Sequence, residues 1–153
     1  MDTSVSQNFH PECEFSINKM INMELHASYV YFTMAYYFSD HNMTLNHFTK
    51  FFRKQSQKRK EQAEKFLQYL IKRGGHPVME NILKPEVANW SDGLRATEEA
   101  LAAEKIIIQD LLALYNKAKE KEDPHLCGFL ESEILDEQVK IMKLLEDHIT
   151  NLE

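Results

Sequence analysis

The sequence predicts an all-α fold: a four-helix bundle with one long crossover connection between helices two and three. Three observations carry this expectation. Glycine and proline are scarce, at 4 each in 153 residues, while 43% of residues are hydrophobic and 27% charged, a composition that suits a mostly helical globular domain. Apolar residues recur in steps of three and four along four long segments, the spacing that lines one helix face. The segments are joined by a short, a long and a short connection, so the middle pair is linked by a crossover. The length fits one domain, residues 1–153, with enough chain for a substantial core.

The first helix opens near Pro11, a natural first-turn residue, and runs to about Ser39. SDHNMT is the turn, with Asn42 or Thr44 as cap. The second helix ends at Gly74-Gly75, a typical helix stop. The connection HPVMENILKPEVANWSD follows, and its Pro77 and Pro85 disfavour helix. The third helix starts after Ser91 or Asp92 and runs to about Lys121. Asp123-Pro124 caps and opens the fourth, which continues towards the C-terminus. Each helix has roughly 29 residues, about 43 Å at the α-helical rise.

The stripes are Ile17, Ile21, Glu24, Ser28, Tyr31, Ala35, Phe38 on the first helix and Phe48, Phe52, Gln55, Arg59, Gln62, Phe66, Tyr69 on the second. The third carries Thr97, Leu101, Glu104, Ile108, Leu111, and the fourth Leu130, Ile134, Gln138, Ile141, Leu145. Polar residues interrupt all four at comparable depth, so Glu24, Arg59, Gln62, Glu104 and Gln138 are expected to meet in space. Bundles that converge carboxylates in the core do so to hold two metal ions, using a Glu-x-x-His pair on one helix. Here that place reads Arg59-x-x-Gln62, and the only Glu-x-x-His, Glu122 to His125, spans Pro124 in a turn. Buried carboxylates need a counter-charge. Arg59 is expected to supply it, in place of metal, to Glu24 and Glu104. The alternative is one weakly held metal on Glu24 and Glu104 with Gln138.

Other candidates carry less. Glu61 and Glu64 are a surface cation site or, among Lys58, Lys60 and Lys65, members of an i,i+4 ion-pair network. The seven histidines show no convergent spacing, Tyr29, Tyr31, Tyr36 and Tyr37 read as core and interface aromatics, and Trp90 as a plug at the bundle end. Cys127 has no base beside it to make a catalytic thiol. No catalytic or organic-cofactor motif is present.

Charge is uneven. Residues 1–85 hold 11 Lys and Arg against 8 Asp and Glu, residues 86–153 hold 7 against 16, and the total is −6. The basic run TKFFRKQSQKRKEQAEK reads as a solvated helix face, with an anion site as the alternative. Nucleic acid is not an expected partner, because no aromatic interleaving or base-reading motif accompanies the run. No apolar stretch approaches a membrane span, MDTSVSQNFHPE lacks the regions of a signal peptide, and two cysteines, Cys13 and Cys127, suit a reducing compartment. A cytoplasmic protein is expected, with the nucleus as the second compartment.

INMELHASYVYFTMAYYF, QAEKF, RGGH, LKPEVANWSDGL, LAAEK, DPHLCGFLES and LDEQVKIMKLLEDHITNL together resemble the ferritins, and the animal heavy-chain type among them, over almost the whole chain. The resemblance implies subunits packed into a hollow iron-storing shell. The family's oxidation centre falls on Glu24, Tyr31, Glu104 and Gln138, which match, while its helix-two glutamate and histidine are replaced by Arg59 and Gln62. An inner-surface glutamate is replaced by Lys58, and Glu61 and Glu64 match mineral-nucleating positions. At the threefold channel Glu131 matches, Gly128 replaces an aspartate and Tyr115 a histidine, so cation passage is expected to slow. A short fifth helix follows this point in the family, whereas this sequence stops at Leu152-Glu153, so the fifth C-terminal helix is expected to be absent.

The expectation is a heavy-chain-like subunit that binds or stores ferrous and ferric iron without effective ferroxidase activity. It assembles with copies of itself or with other ferritin subunits. The competing expectation is a structural or interaction protein on the same fold with no iron role, motivated by the Lys58–Lys60 patch and the missing fifth helix.

Overall fold

Pro11 opens the first helix, α1 (Pro11–His41), with Glu12 and Glu14 in its first turn, where carboxylates favour the positive end of the helix dipole. The computed structural model describes residues 9–41, 46–82 and 93–152. It continues with α2 (Asn46–Lys72), α3 (Gly93–Glu120), α4 (Pro124–Phe129), a π-helical turn (Leu130–Leu135) and α5 (Asp136–Leu152). Backbone angles stay right-handed helical at Leu130 and Asp136, so α4, the π turn and α5 form one unbroken rod. The bundle therefore has four rods, as expected. α1 extends slightly past Ser39, because Asp40 and His41 offer no helix break. The expected caps Asn42, Thr44, Ser91 and Asp92 lie outside the described residues, as do Pro85 and Trp90.

Both described helix stops use the same hydrogen-bond device. At the end of α2 the Gly75 N–H donates to the Leu70 carbonyl and the Gly74 N–H to that of Ile71, with Gly74 at φ 80°. This pairing satisfies the last carbonyls through a left-handed residue. At the end of α3 the Asp123 N–H donates to Ala118 and that of Glu122 to Lys119. Here the left-handed residue is Glu122, at φ 55°, which carries a Cβ penalty that glycine escapes. Asp123 then accepts from the Leu126 N–H at 3.0 Å and caps α4.

α1 packs along α2, α3 along α5, and α1 also meets α3. Tyr31 faces Phe52, Ser28 faces Ser56 and Glu24 faces Arg59, so α1 and α2 run antiparallel. The first part of the crossover is fixed to α1 by two asparagines one helical turn apart. Asn18 accepts from the Val78 N–H at 2.7 Å and donates to the His76 carbonyl, while Asn22 accepts from the Glu80 N–H and donates to the Val78 carbonyl.

The core falls into two apolar clusters. One gathers Ile17, Met20, Ile21, Phe66, Leu70, Leu111, Leu126 and Leu130, and the other Tyr31, Met34, Phe48, Phe52, Ala100, Ile141 and Leu145. Each large side chain so buried contributes about 1.5–3 kcal/mol. On α3 the buried line is Ala96, Ala100, Glu104, Ile107, Leu111. Leu101 and Ile108, expected in the stripe, are half-buried edge residues. Small Ala100 lets α3 approach its neighbours there, and the bulkier Leu101 lies beside the contact. No helix among the described residues is long and apolar enough to cross a membrane.

Candidate functional site

Between the two apolar clusters lies a polar layer. Glu24 (α1), Arg59 and Gln62 (α2), Glu104 (α3) and Gln138 (α5) are at most 2% exposed. Every one of these sequence-predicted residues lies in that layer. Their helices place them there because each stands one turn from a buried apolar neighbour: Ile21 for Glu24, Ala63 for Arg59, Phe66 for Gln62, Ile107 for Glu104 and Ile134 for Gln138.

Arg59 is the centre. Its Nη1 lies 3.1 and 3.0 Å from the Glu24 carboxylate oxygens, 3.4 Å from Glu104 Oε2 and 2.9 Å from Gln138 Oε1, to which it donates. Gln138 Nε2 donates to Glu104 Oε2 at 2.6 Å, and the Tyr31 hydroxyl donates to Glu104 Oε1 at 2.7 Å. One guanidinium nitrogen thus ties α2 to the other three rods, and Glu104 is held from three sides. This differs from a two-pronged arginine grip. Arg59 Nε and Nη2 and both amide atoms of Gln62 are buried without a hydrogen-bond partner among the described residues.

The electrostatics follow from burial. Glu24 is pushed up to about 7, first by loss of water, with the Glu104 charge adding to the shift and Arg59 opposing it. Burial, with Glu104 adding, holds the Tyr31 hydroxyl well above its ordinary value, so it remains a donor. Two carboxylates share one permanent cation, and below about pH 7 a proton on Glu24 brings the layer to neutrality.

As a metal cradle the layer is poorly furnished. Gln138 Oε1, expected as a possible ligand, is occupied by Arg59. Among the described residues no three His, Cys, Asp or Glu side chains converge as a metal-holding group. A guanidinium has donors only and offers a cation no lone pair.

The outlying candidates do not join the layer. Glu61 and Glu64 are exposed on α2. Among the described residues the i,i+4 ion-pair network expected around them is not formed: Glu61 meets Gln57 at 3.5 Å, while Lys58 reaches Glu137 at 3.8 Å and Lys65 reaches Glu133 at 4.0 Å. The lysines reach across to the fourth rod because carboxylates there lie opposite them. Glu131 accepts from the Tyr115 hydroxyl. Burial raises the Cys127 thiol above its ordinary value, the opposite of activation.

Sequence reasoning missed a second buried hub. Arg73, 2% exposed, donates to Asp123 Oδ1 at 3.0 Å and to the Tyr69 hydroxyl at 2.7 Å, and its Nη2 lies 3.0 Å from Asp123 Oδ2. The Tyr69 hydroxyl is also hydrogen-bonded to His125 Nδ1, 2.9 Å away, which gives His125 a structural role. An arginine beside the glycine stop and an aspartate at a distant cap share no local spacing that would signal the pair.

The ferritin-like domain model matches residues 16–153. Over 152 residues the chain is 48% identical to the ferritin middle subunit of Salmo salar, covering 99% of this chain and 86% of that protein. It is 45% identical over 152 residues to the ferritin lower subunit of Aquarana catesbeiana, covering 99% and 88%. The chain belongs to the ferritin family. Within the ferritin bundle, three of the residues that the resemblance marked as matching, Tyr31, Glu104 and Gln138, are in direct contact, and the fourth, Glu24, is joined to them through Arg59. Arg59, which the resemblance marked as a replacement, is the group that connects them.

Proposed function

We propose that this chain is a ferritin-family iron-storage subunit in which an arginine-centred ion cluster replaces the metal centre that oxidises iron. One observation carries the reading: Arg59 Nη1 stands within 3.4 Å of both core carboxylates and takes the Gln138 amide oxygen as well. A permanent charge there opposes a divalent ion about 4 Å away by roughly 8 kcal/mol at an effective dielectric of about 20. Any metal held by Glu24, Glu104 and Gln138 is therefore weak and singly occupied. Gln62 supplies only a neutral amide where the resemblance implies a histidine.

Iron in this reading is cargo. Glu61 and Glu64, exposed and without ion pairs among the described residues, meet it weakly. Lys58 reduces the attraction further by pairing with Glu137, and Glu131, the matching channel carboxylate, is engaged by Tyr115. The chain works as a homo-oligomer or beside other ferritin subunits that perform the oxidation, in the cytoplasm.

Stopped-flow oxidation of ferrous iron tests this. The parent chain is expected to show no fast phase, and Arg59→Glu/Gln62→His is expected to gain one, because Glu24, Tyr31, Glu104 and Gln138 already converge. A fast phase in the parent chain overturns the reading. Loading with ferrous iron in air, followed by electron microscopy of co-assembled shells, separates it from a purely structural role, which predicts no mineral difference when the chain is omitted.

A further inference from the structure

We propose that the π turn at Leu130–Leu135 is a register spacer that lets the fourth rod meet both buried arginine hubs, Arg59 within α2 and Arg73 at its end, at once. Arg59 on α2 and Arg73, the first residue past its end, stand 14 residues apart, close to four α-helical turns, and the Arg73 N–H still donates to the Tyr69 carbonyl as in a helix, so both present to the same side. Their partners on the opposite rod, Gln138 and Asp123, stand 15 residues apart. Counted from its cap, Asp123, the fourth rod thus has one residue more between the same two anchors.

The spacing of its buried residues shows where the surplus goes. Leu126, Leu130, Ile134 and Gln138 are all 0% exposed, at successive intervals of four. In an uninterrupted α-helix each such step drifts by about 40°, so three steps carry Gln138 about 120° away from the line of Leu126. That rotation would take the amide out of the polar layer and away from Arg59. A π turn closes its hydrogen bonds one residue later than an α turn and so holds one extra residue, which absorbs nearly all of that drift. Beyond Gln138 the spacing returns to three and four, at Ile141 and Leu145, both buried.

The surplus falls where it costs little. Glu131, Ser132 and Glu133 are on the outer side of the turn. Ser132 donates to the Gly128 carbonyl at 2.8 Å, and Lys65 of α2 reaches across to the Glu133 carbonyl at 3.4 Å. Both contacts satisfy carbonyls in and beside the widened turn, which matters because such groups lose their usual i→i+4 partners.

The experiment removes or adds one residue. A variant lacking Ser132 is expected to become uniform α-helix with Leu126, Leu130, Ile134, Gln138, Ile141 and Leu145 within an arc of about 80°. Its melting temperature should equal or exceed that of the parent. Adding Arg59→Met to that variant should lower the melting temperature by as much as in the parent, since the Arg59 hub is kept. An alanine inserted after Ser132 adds a second surplus residue, and the melting temperature should fall by about 10 °C or more. A deletion variant that does not fold, one in which Arg59→Met has lost its effect, or an insertion tolerated as well as the deletion overturns the proposal. None of these outcomes depends on whether the chain oxidises iron.

Discussion

Replacing Arg59 with methionine removes the guanidinium from a layer that is otherwise sealed. Glu24 and Glu104, 1% and 0% exposed, lose the charge 3.0 and 3.4 Å from them. Removing one partner of a buried ion cluster costs about 3–5 kcal/mol, mostly as the penalty of leaving a charge buried and unpaired. Methionine occupies much of the arginine stem, so a cavity adds little. For a chain of this length the melting temperature should drop by roughly 6–20 °C. The penalty must also depend on pH. Arg59 is the influence that opposes the upward shift of Glu24, already at about 7. Without it Glu24 takes up a proton more readily, so the penalty is full at pH 8 and shrinks towards pH 5. Denaturant unfolding followed by circular dichroism at both pH values measures this, at one protein concentration, because assembly makes apparent stability concentration-dependent. An Arg59→Met variant as stable as the parent at pH 8, or equally penalised at both pH values, refutes the counter-ion argument.

Three further outcomes follow from the same geometry. Because Glu24 is raised from 4.5 to about 7 in the folded chain, it favours folding below pH 4.5, and that contribution is lost as pH rises through 7, a change on the order of 3 kcal/mol. Glu24→Gln should flatten this part of the urea-midpoint profile, and an unchanged profile assigns the titration elsewhere. Asp123→Ala removes both the cap of α4 and the partner of Arg73, so unfolding should become easier by about 4–6 kcal/mol; a loss below about 1 kcal/mol means the cap alone mattered. Glu122→Gly relieves the positive φ at the α3 stop and should raise stability by about 1 kcal/mol, visible as a melting temperature higher by about 2–4 °C. A lower melting temperature contradicts that assignment.

The parts of this fold legible in the sequence were those with a local period or a local stop. Glu24, Gln138 and their apolar neighbours repeat at helical spacing, and Gly74-Gly75 and Asp123-Pro124 punctuate within a few residues. That Arg59 lies against Glu24 followed from charge balance, since two converging carboxylates require a cation. What was not legible depends on distances between rods. The reach of a single Nη1 to three partners, and the pairing of Arg73 with Asp123 across 50 residues, follow from tertiary register. The π turn did leave a trace, the run of intervals of four from Leu126 to Gln138, which an α period cannot keep on one face. The line on α3 shifted from Leu101 and Ile108 to Ala100 and Ile107 because the size of a side chain does not say which edge of a stripe faces the neighbouring helix.

The central claim is that Arg59 holds the place a metal pair would need. Anaerobic ferrous iron soaked into crystals of the parent chain, with data collected at the iron absorption edge, tests it most directly. The account predicts no pair of anomalous peaks in the polar layer and an Arg59 guanidinium still bonded to Glu24 and Gln138. Two fully occupied irons between Glu24 and Glu104, beside Arg59, would contradict it.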